Sequence, residues 1–333
     1  MEFTHFIGVD VSKLTLDVTL VCDGNVIWYL QTTNDRPGIL QIFKQLETEQ
    51  GESSTLFCME HTGIYNEPLL AVLTEKKVAI WLESSLHIKR SSGLQRGKND
   101  KIDSARIAQY AYLHRQYVRL WQAPRDIIKR LRDLVGLRSR LIGAATQLRA
   151  PLKESAHFRD NVSTKAVSGN CKASLAALQS DLKKTNAAIQ SLIKADSELN
   201  RLFNLVTSVD GIGPVTAASI IVTTDEFKRF DSPKQYASYA GVAPFEHRSG
   251  SSVRGRTRVS HLANKDVKTL LHLSAISARK VKGELREYYE RRIKEGKNGM
   301  CVINAIRNKL IQRVFACVKR NQPYQKIFTP TLV

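Results

Sequence analysis

What most constrains the fold of this chain is the order of the apolar segments in its first 85 residues. Residues 6–9 form an apolar run ending at Asp10, residues 16–21 a second and residues 26–31 a third, the last two separated by the turn segment Cys22-Asp23-Gly24-Asn25. Runs of that length bounded by turn residues predict a three-strand meander. Pro37-Gly38 then opens a stretch in which Ile39, Ile42, Phe43 and Leu46 share one helical face. Residues 55–59 read as a short buried strand ending at Glu60, residues 63–74 as another helix and residues 78–82 as a fifth strand.

The resulting order, β-β-β-α-β-α-β, is that of a ribonuclease-H-like α/β fold. From Asp100 the pattern turns helical: Ile102, Ala105, Ile107, Ala108 and Ala111 make one stripe, which ends at the break Ala123-Pro124. Residues 127–152 predict a long basic helix carrying Leu131, Leu134, Leu141 and Leu148. Leu175, Leu178, Leu182, Ile189, Leu192 and Leu199 recur at heptad spacing, with residues 157–169 expected to loop between the two segments. An antiparallel hairpin and an intermolecular coiled coil both fit. Near Leu202 a mostly helical second globular unit begins. It contains Asp210-Gly211-Ile212-Gly213-Pro214 ahead of an apolar run, and a Gly/Ser/Arg-rich loop over residues 245–258. Three parts are expected: an α/β domain over residues 1–123, a helical coiled-coil spacer over 124–200 and a C-terminal, mostly α domain over 201–333.

Asp10 and Glu60 stand where strands one and four end, so both carboxylates can emerge on one side of a mixed sheet. Asp100 and Asp103 are three apart at a helix start and share a face. Each has a plainer explanation: Asp100 as an N-cap, Asp103 as a first-turn acid favoured by the helix dipole, Glu60 as a strand-end charge. Four acids from distant segments suit Mg²⁺, which binds through a few carboxylates and substrate phosphates. In Phe6-Ile7-Gly8-Val9-Asp10, the glycine before the acid is expected to let backbone approach a phosphate.

The charge balance fits that chemistry. With 51 Lys+Arg against 31 Asp+Glu the formal charge is +20, spread over the whole chain, and it points to a polyanionic partner, nucleic acid first. The apolar runs are too short to span a bilayer, and the first ten residues carry no leader pattern; a cytoplasmic, nucleoid-associated protein that does not engage membranes is expected. Cys22, Cys58, Cys171, Cys301 and Cys317 include no Cys-x-x-Cys pair and read as reduced thiols. Gly211-Ile212-Gly213 before a helix is helix-hairpin-helix-like, a turn that aims backbone N–H groups at a phosphate; a plain helix–helix turn is the alternative. The segment from Arg248 to Arg258 sets Ser249, Ser251 and Ser252 among Arg248, Arg254, Arg256 and Arg258, whose guanidinium forks match phosphate oxygens. Residue chemistry leaves open which serine, if any, attacks. His247 and His261 have no nearby acid in sequence to complete a triad.

These motifs together resemble the DEDD insertion-sequence transposases of the IS one-ten (IS110) family, bridge-RNA-guided serine recombinases. The resemblance covers nearly the whole chain: Asp10, Glu60, Asp100 and Asp103 in the D, E, D, D positions of a RuvC-like domain, then Gly211-Ile212-Gly213, the Tyr-Ala-x-Tyr-Ala-Gly-Val-Ala-Pro stretch ending at Pro244, and Ser249-Gly250-Ser251-Ser252-Val253-Arg254-Gly255. It implies Mg²⁺ at the acids and Ser249 as the nucleophile that forms a phosphoserine. It further implies a non-coding bridge RNA pairing with donor and target DNA, and dimers joining into a tetramer in which one subunit's acids serve another's serine. The competing classes are a RuvC-like hydrolytic Holliday-junction or structure-specific endonuclease that makes no serine adduct, and a non-catalytic nucleic-acid-binding protein.

Overall fold

The computed structural model describes residues 2–48, 54–91, 93, 99–158, 161–249 and 253–325. The chain divides into two units, Met1–Ala123 and Pro124–Val333. In the first, β1 (His5–Val11), β2 (Thr15–Cys22) and β3 (Asn25–Thr33) form the expected antiparallel meander. Its second turn places Asp23 and Gly24 at φ +48° and +80°, the paired left-handed conformation that suits a tight hairpin and that Asp and Gly tolerate. Helix α1 (Arg36–Glu47) starts where Asp35 caps the backbone N–H of Gly38 at 2.9 Å. Strand β4 (Thr55–Glu60) follows. The single helix expected over 63–74 is a 3₁₀ turn (Gly63–Asn66) and then α2 (Glu67–Glu75), whose first turn holds Pro68, a residue suited to a helix start and not to an interior. Strand β5 (Ala79–Glu83) completes the sheet.

The strand order is β3-β2-β1-β4-β5, with β1, β4 and β5 mutually parallel. It is consistent with a ribonuclease-H-like arrangement. Ile7, Val9, Phe57 and Met59 bury one face of the sheet together with Ile39 and Ile42 of α1 and Leu69 and Leu73 of α2. Phe6, Leu56, Cys58 and Trp81 bury the other with residues from α3 (Ser85–Ser91) and α4 (Asp100–Leu113). Both faces are covered, which is why β1 and β4 read as apolar runs and do not alternate.

The stripe expected on α4 is rotated. Ile102 is 42% exposed, and the buried face carries Ser104, Ile107, Ala108, Tyr110 and Ala111. Gly8 sets that rotation: a Cβ there would stand 2.2 Å from both the Ala108 nitrogen and the Ser104 oxygen, so α4 lies directly on the β1 backbone. Ser104 Oγ and Thr19 Oγ1 share a buried hydrogen bond of 2.8 Å at the same crossing. The space Gly8 leaves is thus filled by α4 and is not open for a phosphate.

In the second unit, α5 (Asp126–Phe158) and α6 (Asn161–Ala195) pack as an antiparallel pair, with Arg138 Nε donating to Asn186 Oδ1 at 2.9 Å. The stretch 157–169, expected as a loop, is helical at residues 157–158, the end of α5, and again from 161 onward in α6. Helices α7 (Ser197–Thr207), α8 (Pro214–Thr224), α9 (Pro233–Tyr239), α10 (Lys265–Ala278), α11 (Glu284–Lys294) and α12 (Gly299–Arg320) gather around one apolar core, to which Ile128, Leu131, Ile189 and Ile193 of the helical pair also belong. Arg125 donates to both Asp196 oxygens, at 2.8 and 3.1 Å, and to Glu226, tying the start of α5 to the cap of α7 and the end of α8. The Gly/Ser/Arg-rich stretch is not a loop throughout: β6 (Pro244–Ser249) and β7 (Val253–Val259) pair antiparallel. Among the described residues no helix is long and apolar enough to cross a membrane.

Candidate functional site

The sheet places carboxylates in a row. Asp10 pairs across β1 and β2 with Asp17, the β1–β4 register continues from Val9 opposite Met59 to put Asp10 beside Glu60, and Glu60 pairs with Glu83. Directly opposed residues point to the same face, here the face that α4 covers. The first turn of α4 carries Asp100 and Asp103 over that row, so acids from β1 and α4, far apart in the chain, meet. Asn99 caps the helix by accepting from the Lys101 N–H at 3.1 Å, so Asp100 is the first helical residue and not the cap. Both acids also lie where the helix dipole favours negative charge.

Asp10, Asp100 and Asp103 each offer an oxygen within 4.8 Å of the others. Glu60 lies outside that trio but close enough to act on it. The Asp10 pKa is pushed up to about 6, first by partial burial and then by the negative charges of Asp100, Asp103, Glu60 and Asp17. Burial raises Glu60 as well; Lys89 on α3 opposes that rise and Asp103 adds to it. Arg106, one turn along α4, holds Asp103 at 2.7 Å. Three hard oxygens at this spacing match the donor preference of Mg²⁺, and their mutual repulsion is what a divalent cation relieves.

Two of the row's acids escaped the sequence reading. Asp17 is 1% exposed and accepts hydrogen bonds from Tyr29 Oη at 2.5 Å and Gln31 Nε2 at 3.2 Å. Glu83 accepts from Tyr110 Oη at 3.2 Å and pairs with His87 at 3.0 Å. A charged residue inside the apolar run Leu16-Asp17-Val18 was the available signal for Asp17; for Glu83 there was none beyond its place at a strand end. Both are already engaged by neighbours: Glu83 through both of its oxygens, and Asp17 through Oδ1 while its negative charge acts on Asp10.

The other sequence candidates sit in the second unit. Ser249 ends β6 with its backbone paired to Val253, Arg248 pairs by backbone with Arg254, and Arg258 is exposed opposite Phe245. Ser251 and Ser252 lie outside the described residues, as do the side chains of Arg248, Ser249, Arg254 and Arg256. Gly211 has φ +91°, and a Cβ on it would meet Ala278 at 2.6 Å, so its missing side chain serves the approach of α10. Gly213, which caps α8, has open space around it and faces a cleft of about 390 Å³ shared with Thr216, Leu273, Ser274 and Ser277.

Comparison with known proteins accounts for both halves. A family model for DEDD transposases of the IS110 type matches residues 7–155, which include all four candidate acids, and a second, described as transposase IS116/IS110/IS902 family, matches residues 203–290, which include the hairpin. Both models are of IS110-type transposases, and the chain is similar to them over those two stretches. Among the relatives, the pilin gene-inverting proteins of Moraxella bovis and Moraxella lacunata are each 27% identical over 96% of this chain and 98% of their own. The transposase for insertion sequence element IS1111A of Coxiella burnetii is 26% identical over 73% of this chain and 72% of its own. What the chain is similar to is therefore a class of metal-dependent recombination enzymes that act on DNA.

Proposed function

We propose that this protein is a transposase that excises and inserts its own insertion sequence by Mg²⁺-dependent, RNA-guided strand exchange through a phosphoserine at Ser249. The observation that carries the reading is the convergence of Asp10, Asp100 and Asp103 oxygens within 4.8 Å in a chain similar to IS110-type transposases. Asp10, Asp100 and Asp103, with Glu60 beside them, would hold the metal, which when bound supplies Lewis-acid polarisation of a phosphoryl group and stabilisation of the leaving oxygen. Asp103 is oriented by Arg106, and Asp17, held by Tyr29 and Gln31, keeps the site's potential negative.

Ser249 Oγ attacks phosphorus, the bond from phosphorus to one deoxyribose oxygen breaks, and the strand is held as a phosphoserine ester. A deoxyribose oxygen of the partner strand reverses the step, so the number of phosphodiesters is conserved. Arg248, Arg254, Arg256 and Arg258 on the hairpin, with Gly211 and Gly213 at the start of α8, are the proposed backbone contacts. Sequence specificity is assigned to a bridge RNA paired with donor and target DNA, and the assembly to dimers that join as a tetramer on DNA. The proposed division of labour gives the RuvC-like domain (residues 1–123) the metal, the helical spacer (124–200) oligomerisation and residues 201–333 the serine. Denaturing gels of the protein incubated with Mg²⁺, its co-purified RNA and DNA test the reading: a covalent adduct is expected from wild type and none from Ser249→Ala. Cleaved ends with no adduct in either protein would replace it with hydrolysis.

A further inference from the structure

The hairpin follows the turn Gly241-Val242-Ala243, and the residues beneath that turn include cationic side chains with no ion-pair partner among the described residues. Asn304 on α12 donates from Nδ2 to the Val242 carbonyl at 2.9 Å. One turn further along α12, Arg307 is only 6% exposed. It donates from Nη2 to His272 Nδ1 on α10 and from Nη1, at 3.5 Å, to Asn304 Oδ1; its Nε–H has no acceptor. Lys268 precedes His272 by one turn on the same face of α10, with Nζ 3.5 Å from where a Cβ on Gly241 would stand. Hydrogen bonds thus link Val242, Asn304, Arg307 and His272 in series, with Lys268 beside Gly241 at the same turn.

No carboxylate among the described residues pairs with this group of side chains. Among the described residues neither Lys268 nor Arg307 forms an ion pair, whereas Arg125, Arg201 and Arg313 of the same unit are each matched with an acid. A buried guanidinium without a counter-charge is expensive, and its usual partners are carboxylates or phosphates. Because Nδ1 of His272 accepts from Arg307, the imidazole hydrogen is on Nε2, a further donor. Burial and the neighbouring guanidinium hold the His272 pKa below the usual histidine value, so its part is that of a neutral donor.

We propose that Lys268, His272 and Arg307 form a receptor for one nucleic-acid backbone phosphate at the foot of the β6–β7 hairpin. The assignment rests on the reading of this unit as the part that carries out strand exchange and gives it a fixed anchor below the strand that ends in Ser249. An anchor in the folded core, unlike arginines on the hairpin itself, sets the register of the bound strand before chemistry.

The test uses the full-length protein without Mg²⁺, so that its failure and the failure of the phosphoserine reading stay separate. Arg307→Met fills the same space without the charge. The expected result is a melting temperature equal to or above wild type, loss of the extra stabilisation that inorganic phosphate gives wild type over chloride at equal ionic strength, and a DNA-binding salt slope shallower by about 0.9. A lower melting temperature with an unchanged salt slope would make Arg307 a structural residue and overturn the proposal. Loss of the phosphate effect with an unchanged slope would assign the site to a free anion and overturn the nucleic-acid source. Lys268→Gln, a half-exposed position, is the second variant should Arg307→Met not fold, with the same slope change expected and an unchanged slope again fatal.

Discussion

The two units handle like charges in opposite ways. In the first, carboxylates of β1 and α4 are pressed together on a sheet whose two faces are packed, and burial, with the crowding of like charges added to it, pushes Asp10 up to about 6. In the second, opposite charges meet at a part-buried junction: Arg125 spans Asp196 and Glu226, so its own pKa rises while those of Asp196 and Glu226 are held below the usual carboxylate range. A paired network stabilises the fold that contains it, whereas an unpaired cluster is held in place by surrounding packing and waits for a ligand of opposite sign. The contrast separates residues that build the protein from residues that the protein is built to present.

The largest effect that sharpens this contrast is on catalysis. Asp10→Asn is expected to lower strand exchange by more than about 10²-fold, the scale seen when a preorganised electrostatic group is removed, as measured by recombination product per unit time with Mg²⁺. Undiminished exchange would remove Asp10 from the site. Next comes the packing that holds the cluster. Gly8→Ala forces a methyl group into the α4 backbone and is expected to cost about 3 kcal/mol or more in urea unfolding of the first unit, with loss of any Mg²⁺-induced rise in melting temperature. A neutral Gly8→Ala would mean that α4 is not fixed on β1.

Arg125→Met probes the paired unit instead. The Glu226 side chain is 3% exposed and keeps only Lys228 at 3.1 Å, but the Arg125 side chain is 37% exposed, so the expected destabilisation is discounted to about 2 kcal/mol. The smallest effect is a pH slope. A folded Asp10 pKa above the ordinary value of 3.8 means that its contribution to stability is complete below about pH 4 and is lost as pH rises through about 6. In EDTA, wild type should therefore lose melting temperature over that window relative to Asp10→Asn, and Mg²⁺ should narrow the difference. Parallel curves for the two proteins in EDTA would show that the Asp10 carboxylate is not under strain.

Much of the first unit was legible in the sequence because strand-length apolar runs and the turn at Asp23-Gly24 are local signals. Asp10 and Glu60 announced themselves by standing where apolar runs stop, and Asp103 by its spacing from Asp100. The rotation of α4 was not legible: Ile102 and Ala105 fit a helical stripe as well as Ser104 and Ala108 do, and only the backbone contact at Gly8 chooses between them. The β6–β7 pair was hidden because glycine, serine and arginine have low strand propensity. The α5–α6 junction was hidden because polar residues such as Ser163 and Thr164 are as compatible with an exposed helix as with a loop.

By itself the sequence determined the order of strands and helices, the excess of positive charge and the residue types that can bind a divalent cation or a phosphate, all of which depend on local pattern and composition. Tertiary structure decided which of those residues meet. The register of β1 against β2 and β4 aligned Asp10 with Asp17 and Glu60, the missing side chain of Gly8 brought Asp100 and Asp103 down over them, and the α10–α12 contact set Arg307 against His272, where no acid among the described residues pairs with it. Those choices are made by packing between segments far apart in the chain, and side-chain periodicity within any one segment carries no record of its neighbour.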